Sequence, residues 1–586
     1  MQGCDEMETQ TWQIHRNGKL ILLAFVLCGT LISVLWMASA NNYFVFDDTS
    51  LLRDASLKSY DELFSFYPQS VYLDRPIRNI LLKWMFQLFG EDYTLHHVVL
   101  ILFHLVNTLL VVGIGYHLFS LNDKRLSDRA FIFACIAGFI FGAWPKAHMA
   151  VQWDSANNDL MGTTFALLAI LFFFNSHRTA SLSNSLLAFF FYYLSIRTKE
   201  MFYPLPVLFC MYDLFAEYKC RNRLRISKQA IVSVLIMLLF FAGIVIGKFR
   251  DESITYETNS PYYQSFNPLL MAVNFLHYLF LFFDVENGGF IYETITVSGM
   301  IGTLLFFVGL LFAVFLAIRQ KSYGLLFIYL AVAVSICTVL PLVNQSHVLY
   351  LYFPSCIVSI LFGCLLLHII SRRKTLISIA FILALAIVLV QNAPGVATAR
   401  DYWLSMGEME KRTRQSITSV AKPVSGTNIY IKVEDKNAYT PFFYGPGAVF
   451  NLAWQDLSYK TTIIDENDHI TFEPPYLVLE WQNTGELCEI DRDNTIDVPE
   501  LHITGVYPDT ITLSDKEEYA LGIVPDKMDA RFEVYVDGMP QTVYYADDFI
   551  SISLAKDLLQ EKSFFELFII NSEGVQSEPV RIEVSR

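Results

Sequence analysis

The chain has 586 residues, 54% of them hydrophobic, and its mean hydropathy is +0.40. Because the apolar residues gather in runs of about 20, this composition excludes an ordinary soluble globular protein and predicts a polytopic α-helical membrane protein. The net charge is −15, and from Asp401 onward there are 33 acidic against 15 basic residues. Since no basic stripe is available to neutralise phosphates, nucleic acid is not an expected partner.

Eleven apolar runs, each about long enough to cross a bilayer, follow one another along the chain. They lie at roughly 20–40, 97–119, 130–147, 158–175, 183–197, 201–217, 229–248, 297–318, 323–342, 349–370 and 375–392. If all eleven cross, the six connecting segments rich in Lys and Arg fall on one side, which the charge rule makes the cytoplasm. A further short run, Leu269–Phe283, precedes an acidic segment without Lys or Arg and is interpreted as an interfacial or re-entrant helix.

The polar C-terminal region is predicted to lie outside the membrane and to contain two domains. Residues 1–19 are then a cytoplasmic N-terminus, 20–392 a transmembrane domain, 393–500 a membrane-proximal α/β domain and 501–586 a β-sandwich. In FEVYVDGMPQTVYY, Asp537-Gly538 separates two alternating runs, which predicts a β-hairpin. The segments LHITGVYP and NSEGVQSEPVRIEV resemble the IPT/TIG type of immunoglobulin-like (Ig-like) domain, which implies a binding or spacing module.

Carboxylates and cations concentrate in the loops that are predicted to face outside. Unpaired charge at this depth is costly, so such residues need a partner, a solvated pocket or a chemical task. A carboxylate can remove a proton from an acceptor hydroxyl while Lys or Arg holds a phosphate leaving group. A lipid anchor on that phosphate explains a site at the membrane surface. The candidates are Asp47, Asp48, Arg75, Asp154, Asn158, Asp159, Lys199 and Glu200.

Four segments carry a family resemblance: FVFDD, RPIRNILLKWMFQLFG, FGAWPKAHMAVQWDSANNDLM and RTKEMFYPLPVLF. In order and spacing they resemble the GT-C superfamily of polyprenyl-phosphate-sugar-dependent glycosyltransferases. The nearest group is that of the protein O-mannosyltransferases and the transmembrane TPR-containing O-mannosyltransferases. The resemblance covers about residues 20–215, more weakly 345–355, and not the tail. It implies that residues 20–392 form a GT-C catalytic domain.

The resemblance also implies roles for individual residues. Asp47 is the expected catalytic base and Asp48 assists it, while Arg75, Lys199 and Glu200 are expected near the donor phosphate. Asp154, Asn158 and Asp159 are assigned to the sugar or acceptor pocket from their position in the second outward-facing loop and not from the resemblance, with a solvated loop as the alternative for both aspartates.

The chain departs from the family pattern in two places. Trp144-Pro145 and Met149 stand where relatives have His-Pro and a downstream Glu, and Leu349-Tyr350-Leu351-Tyr352 replaces Arg-Tyr-x-Tyr. His148 or His347 is the expected substitute in the sugar or acceptor pocket.

The predicted function is a membrane hexosyltransferase that transfers one sugar, with inversion, from a polyprenyl-phosphate-linked donor. The acceptor hydroxyl belongs to a protein, lipid or glycan on the outer face. In a bacterium this means the inner membrane, with the tail in the periplasm. No cofactor or metal is expected, and a divalent cation held by acidic residues is the alternative.

Other interpretations stay open. The chain is alternatively an oligosaccharide or O-antigen transferase or ligase, or a non-catalytic scaffold or transporter that displays a periplasmic binding domain. Asp47 and Asp48 alternatively cap a helix. Arg78 is expected to be a headgroup anchor, and His96 a packing or interface residue.

Overall fold

The structure is a computed structural model, and only part of the chain is described. The described residues are 18–32, 43–64, 75–122, 127–179, 181–221, 263–284, 297–320, 323–344, 346–370, 395–434, 447–465, 468, 472–482, 484–493, most of 501–585 and a few within 231–242. The predicted run at 375–392 and most of the run at 229–248 lie outside them. The chain divides into two compact units, one of residues 1–470 and 477–491, the other of 471–476 and 492–586.

The first unit is mostly helical up to residue 370. In chain order its helices are α1 Gly18–Ile32, α2 Asp48–Leu57, α3 Tyr60–Leu63, α4 Pro76–Phe89, α5 Tyr93–Asn122, α6 Ser127–Gly142, α7 His148–Gln152, α8 Asn157–Thr179, α9 Leu182–Ile196, α10 Leu205–Arg221, α11 Pro268–Phe283, α12 Val297–Gln320, α13 Gly324–Ile336 and α14 Tyr352–Ile370. Four stretches within the described residues are long and apolar enough to cross a membrane: Tyr93–Ser120, Asp154–Thr179, Val297–Arg319 and Val348–His368. The count of eleven crossings stays a prediction.

Helix α12 shows the surface expected of a helix that faces lipid. Leu304, Leu311 and Ile318 are 63%, 70% and 74% exposed, although all three are large and apolar. An extended apolar surface of this kind marks contact with a membrane or a partner. Helix α11 packs at Gly302 of α12 through Phe283. Whether α11 lies in the interface or re-enters the membrane stays a prediction.

The segments on either side of α7 are short helical turns instead of an open loop. Single 3-10 turns cover Pro145–Ala147 and Asp154–Ala156, and further turns lie at Glu200–Phe202 and Val348–Leu351. Asp154, Asn158 and Asp159 are buried, so the solvated-loop alternative for the two aspartates is wrong.

The rest of the first unit forms an α/β layer after the last apolar helix. Its elements are α15 Gly395–Ser419, β1 Asn428–Lys432, α16 Ala448–Trp454, β2 Lys460–Ile464, β3 Tyr476–Trp481 and β4 Leu487–Asp493. The strand order is β2-β1-β3-β4. Strands β1 and β2 pair in parallel with α16 between them, which is the usual βαβ connection. Ile417 of α15 and Phe450 of α16 are buried with residues of β1 and β3 in one core.

The second unit is built from two β-sheets. Its elements are β5 Ile503–Tyr507, β6 Thr510–Thr512, β7 Glu518–Pro525, β8 Phe532–Val536, β9 Met539–Gln541, β10 Val543–Tyr545, β11 Ile550–Ala555, α17 Lys556–Leu559, β12 Phe564–Asn571 and β13 Val580–Ser585. The sheets have the orders β10-β11-β7-β5 and β6-β13-β12-β8-β9, and both contribute to one apolar core. The Ig-like assignment of this unit stays a prediction.

The hairpin predicted at Asp537-Gly538 is confirmed. Asp537 and Gly538 have φ angles of 48° and 77°, and Val536 pairs with Met539 across the two-residue turn. Positive φ at both central residues is the conformation for which Asp-Gly is preferred.

Candidate active site

The aspartate loop, residues 43–57, turns sharply before α2. Phe46 has φ = 57°, a left-handed conformation that costs of order 1–3 kcal/mol in a residue other than glycine. Its ring packs edge-on against Trp153 and against Trp403, with 5.7 Å between centroids in each case. Asp47 directly precedes α2, yet its side chain makes no capping hydrogen bond. The helix-cap alternative for Asp47 is therefore wrong.

Asp48 is fully buried and accepts three hydrogen bonds. Its Oδ2 accepts from the backbone nitrogen of Val45 at 2.9 Å. Its Oδ1 accepts from the backbone nitrogen of Ser155 at 2.6 Å and from the Ser155 hydroxyl. Burial and the negative charges of Asp154 and Asp47 raise the pKa of Asp48 well above its ordinary value. Asp48 thus joins the aspartate loop to the second loop, residues 143–158.

Asp47 differs from Asp48 because one of its oxygens accepts no hydrogen bond from the described residues. That oxygen is buried. Burial raises the pKa of Asp47, whereas an interaction with Ser155 and the positive charges of Arg78 and Arg75 act in the opposite direction. A carboxylate with an available oxygen and a raised pKa is suited to accept a proton.

The second loop adds further buried polar groups. Oδ2 of Asp154 contacts Nδ1 of His96 at 3.3 Å. His96 is buried and packs edge-on against Phe44 and Phe89, as expected of a packing histidine. Within the described part of the chain, Oδ1 of Asp154, both amide atoms of Asn157 and the carbonyl oxygen of Asn158 lack a hydrogen-bond partner. Buried polar groups are nearly always paired in proteins. The cluster therefore fits a ligand rich in hydroxyl groups.

Arg75 and Arg78 supply positive charge at the start of α4. Arg75 contacts Glu200 through two atoms, with Nη2–Oε1 at 2.6 Å and Nε–Oε2 at 3.3 Å. The two side chains are 30% and 40% exposed, so solvent reaches the pair. Arg78 donates to Oδ1 of its neighbour Asn79. Because a guanidinium has five N–H donors, each arginine has the capacity to bind a phosphate while keeping these bonds.

Lys199 is buried and bound to Asp159. Its Nζ donates to both carboxylate oxygens of Asp159 at 2.6 Å and lies 5.1 Å from the centre of the Tyr350 ring. Gly162 of α8 leaves room for the ring of Phe202, because a Cβ there would lie 2.4 Å from that ring. The structure thus shows a buried ion pair between α8 and the turn before α10.

Most of the predicted site residues fall into one connected set. The charge of Arg75 acts on Asp47. Burial lowers the pKa of Lys199, the charge of Asp159 raises it, and the charge of Arg75 lowers it further. His347 precedes Tyr350, with 5.9 Å between the two ring centres. The side chain of His148 lies outside the described residues.

Sequence reasoning missed Ser155, which the structure shows to donate to Asp48. Ser155 lies in the polar stretch WDSANND, where its neighbours were selected because they carry charge or an amide. A search for donors to the buried Asp48 would have required the fold, since the two residues are 107 positions apart.

These features define a helical membrane protein with a partly buried site of carboxylate, amide and guanidinium groups between its helices. Among the described residues, no group of three or more His, Cys, Asp or Glu is arranged to hold a metal ion. The expectation that no metal is required stays a prediction.

The chain is similar to a number of solved structures, among them two of ArnT. No family model matches the chain, and no curated protein matches it. It is similar to ArnT from Cupriavidus metallidurans bound to undecaprenyl phosphate, with a TM-score of 0.41 and 12% identity over 79% of this chain and 93% of that chain. The apo state gives a TM-score of 0.42 and 11% identity over 80% and 94%. Similarity at this level carries no argument about substrate, so function must follow from the site itself.

Proposed function

We propose that the chain is a GT-C membrane glycosyltransferase that transfers a hexose from a polyprenyl-phosphate donor to an acceptor hydroxyl. The observation that carries this proposal is that a buried oxygen of Asp47 and several amide atoms of the second loop have no hydrogen-bond partner among the described residues. Two arginines whose charges act on Asp47 supply the complementary phosphate site. The order of the four sequence segments described above supports the same reaction class.

In the proposed step, an acceptor hydroxyl attacks the anomeric carbon of the donor sugar. The new C–O bond forms as the bond from the anomeric carbon to the phosphate oxygen breaks, and that oxygen leaves with the bonding electron pair. The hydroxyl proton moves to Asp47. In-line attack inverts the anomeric configuration, and the products are a glycosylated acceptor and the polyprenyl phosphate.

The remaining residues bind or orient. Arg75, oriented by Glu200, and Arg78 stabilise the charge that grows on the departing phosphate. Asp154, Asn157 and Asn158 bind sugar hydroxyls.

In this proposal Lys199 has a structural role and does not bind the donor. Its ammonium already contacts both oxygens of Asp159, so the pair supports the site while Arg75 and Arg78 provide most of the phosphate contact. His347, beside Tyr350, completes the pocket.

The proposed location follows from the charge of the connecting segments. The Lys- and Arg-rich segments lie in the cytoplasm, so the site and the β-rich tail face the periplasm of a bacterial inner membrane. The last unit is an Ig-like module of the IPT/TIG type that contacts the acceptor or spaces the site from it.

The test uses the full-length chain in membranes that contain the host's own acceptors. Undecaprenyl phosphate carrying radiolabelled mannose, glucose or galactose is added, and the loss of label from the lipid fraction is measured. The native chain is expected to consume at least one of these donors. Asp47→Asn is expected to reduce that rate about 100- to 10,000-fold, because the proton then has no base.

The matched control is Asp61→Asn, an exposed aspartate of α3. It is expected to keep the native rate. Normal turnover by Asp47→Asn would remove the proposed base. Consumption of a lipid-linked oligosaccharide in place of all three monosaccharide donors would favour the oligosaccharide transferase alternative.

A further inference from the structure

The α/β layer that follows the apolar helices contacts the aspartate loop directly. Trp403 of α15 is fully buried and packs edge-on against Phe46. One turn later, a Cβ at Gly407 would lie 2.9 Å from the backbone nitrogen of Tyr43, so glycine allows α15 to touch the loop's backbone. Arg414 lies over the Tyr43 ring at 5.9 Å.

Helix α16 and the residue that follows it also contact the same loop. Leu452 of α16 is buried against Phe44 and Leu52. The Ser56 hydroxyl donates to the side chain of Gln455 at 3.2 Å. Arg414 also forms an ion pair with Glu91, just before α5. The layer therefore covers the aspartate loop along most of its length.

Phe46 is the point at which this packing affects the candidate base. Its left-handed backbone determines the direction in which the chain leaves toward Asp47. A residue other than glycine keeps such a conformation only where its surroundings hold it. Trp153 from the second loop and Trp403 from the α/β layer both pack against its ring.

We propose that Trp403 is a positioning residue for Asp47, and that the α/β layer is therefore an integral part of the active site. Trp403 touches neither donor nor acceptor and acts by holding Phe46 in its left-handed conformation. This inference rests on the proposed function of Asp47. Its consequence is that the tail helix α15 sets the rate of proton removal while leaving donor binding unchanged.

The test compares Trp403→Leu, Trp403→Phe and the native full-length chain, with the undecaprenyl-phosphate hexose that the native chain consumes fastest. Trp403→Leu is expected to lower kcat about 10- to 100-fold with KM for the donor unchanged, because a displacement of about 1 Å is enough for such a loss. Trp403→Phe keeps an aromatic contact and should recover most of the rate. The acid limb of the kcat profile should move to lower pH in Trp403→Leu, since a loosened loop admits water to Asp47.

The matched control is Trp481→Leu, which removes a buried tryptophan from the core of the same layer, where its indole nitrogen donates to the Thr413 hydroxyl. It should lower the melting temperature but leave the kcat of the folded fraction and the acid limb unchanged. Hydrogen exchange in residues 43–57 should rise in Trp403→Leu and stay native in Trp481→Leu. If Trp403→Leu fails to fold, Gly407→Val disturbs a second contact of α15 with the aspartate loop, that with the backbone of Tyr43.

The two proposals fail in different ways. If Asp47→Asn abolishes transfer but Trp403→Leu and Gly407→Val keep the native kcat and acid limb, the positioning role is excluded and the base survives. If Asp47→Asn retains transfer, the base itself is excluded. Equal losses of kcat in Trp403→Leu and Trp481→Leu would also overturn the positioning role, because they would reflect general damage to the layer.

Discussion

Ser155 donates two hydrogen bonds to one oxygen of Asp48, from its backbone nitrogen at 2.6 Å and from its hydroxyl. The two residues come from different loops, so this contact fixes the second loop against the start of α2. It also separates the tasks of the adjacent aspartates. Asp48 accepts bonds that stabilise the loops, whereas one buried oxygen of Asp47 has no hydrogen-bond partner among the described residues.

The Ser155 hydroxyl gives the first prediction. Ser155→Ala keeps the backbone donor but removes the second bond to a buried carboxyl group, which should cost about 1–3 kcal/mol of unfolding free energy. The transfer rate should fall because the two loops are less firmly joined. Denaturant unfolding and the donor-consumption assay measure the two effects. Ser176→Ala is the control, since it loses a buried bond to Ser185 between α8 and α9. A native transfer rate in Ser155→Ala would show that the bond does not support the site.

The raised pKa of Asp47 predicts that the ionised base lowers the stability of the native chain. A carboxyl group whose folded pKa exceeds its unfolded value, about 3.9, binds more protons in the folded state, so stability falls as pH rises between the two values. Asp47→Asn cannot ionise and lacks this loss. Its melting temperature should match the native one at pH 4 and exceed it at pH 8. A lower melting temperature at pH 8 would contradict the burial argument.

Arg78 provides a test of the electrostatics around the base. Its charge acts to lower the pKa of Asp47, so Arg78→Gln should raise that pKa further. Because the base must be deprotonated, the acid limb of kcat/KM should move to higher pH in this variant. The pH dependence of donor consumption measures the shift. Arg53→Gln is the control, since Arg53 pairs with Asp54 and should leave the limb in place.

The sequence was sufficient where a local pattern determines the structure. Apolar runs of spanning length became α5, α8 and α12, and the Asp-Gly pair became the β8–β9 turn. Composition and local conformational preference act over a few residues, so no tertiary information was needed.

The contacts that make the site were not predictable in this way. Lys199 and Asp159 were both selected from the sequence, but one was assigned to the phosphate and the other to the sugar, and the structure pairs them instead. The contact of Trp403 with Phe46 joins residues that are more than 350 positions apart in a chain of 586. Such partners are selected by packing, which leaves no periodic signal in either segment.

Breaking the buried Lys199–Asp159 ion pair is expected to lower the free energy of unfolding more than breaking an exposed ion pair. Lys199→Met leaves a buried carboxylate without its cation, which should cost about 3–5 kcal/mol. The double variant Lys199→Met/Asp159→Leu should recover much of that stability, because neither charge is then buried. Lys562→Met is the control: its ion pair with Asp537 is about one third exposed on both sides and should contribute no more than about 1 kcal/mol. Unfolding midpoints of the four proteins measure the differences.

Substitution of Arg75 by lysine tests whether the charge of this residue is sufficient or whether its planar guanidinium is also needed. Arg75→Lys keeps the positive charge but loses the two-atom contact with Glu200 and the fork that fits a phosphate. We expect kcat/KM to fall at least about tenfold, which corresponds to one charge-assisted hydrogen bond. Stability should change by less than about 1 kcal/mol, because the pair with Glu200 is partly exposed. Undecaprenyl phosphate added as a product inhibitor should bind more weakly to Arg75→Lys, and equally well to Lys58→Arg, which retains its charge beside Asp54. Unchanged inhibition in Arg75→Lys would place the phosphate elsewhere, with Arg78 the next residue to substitute.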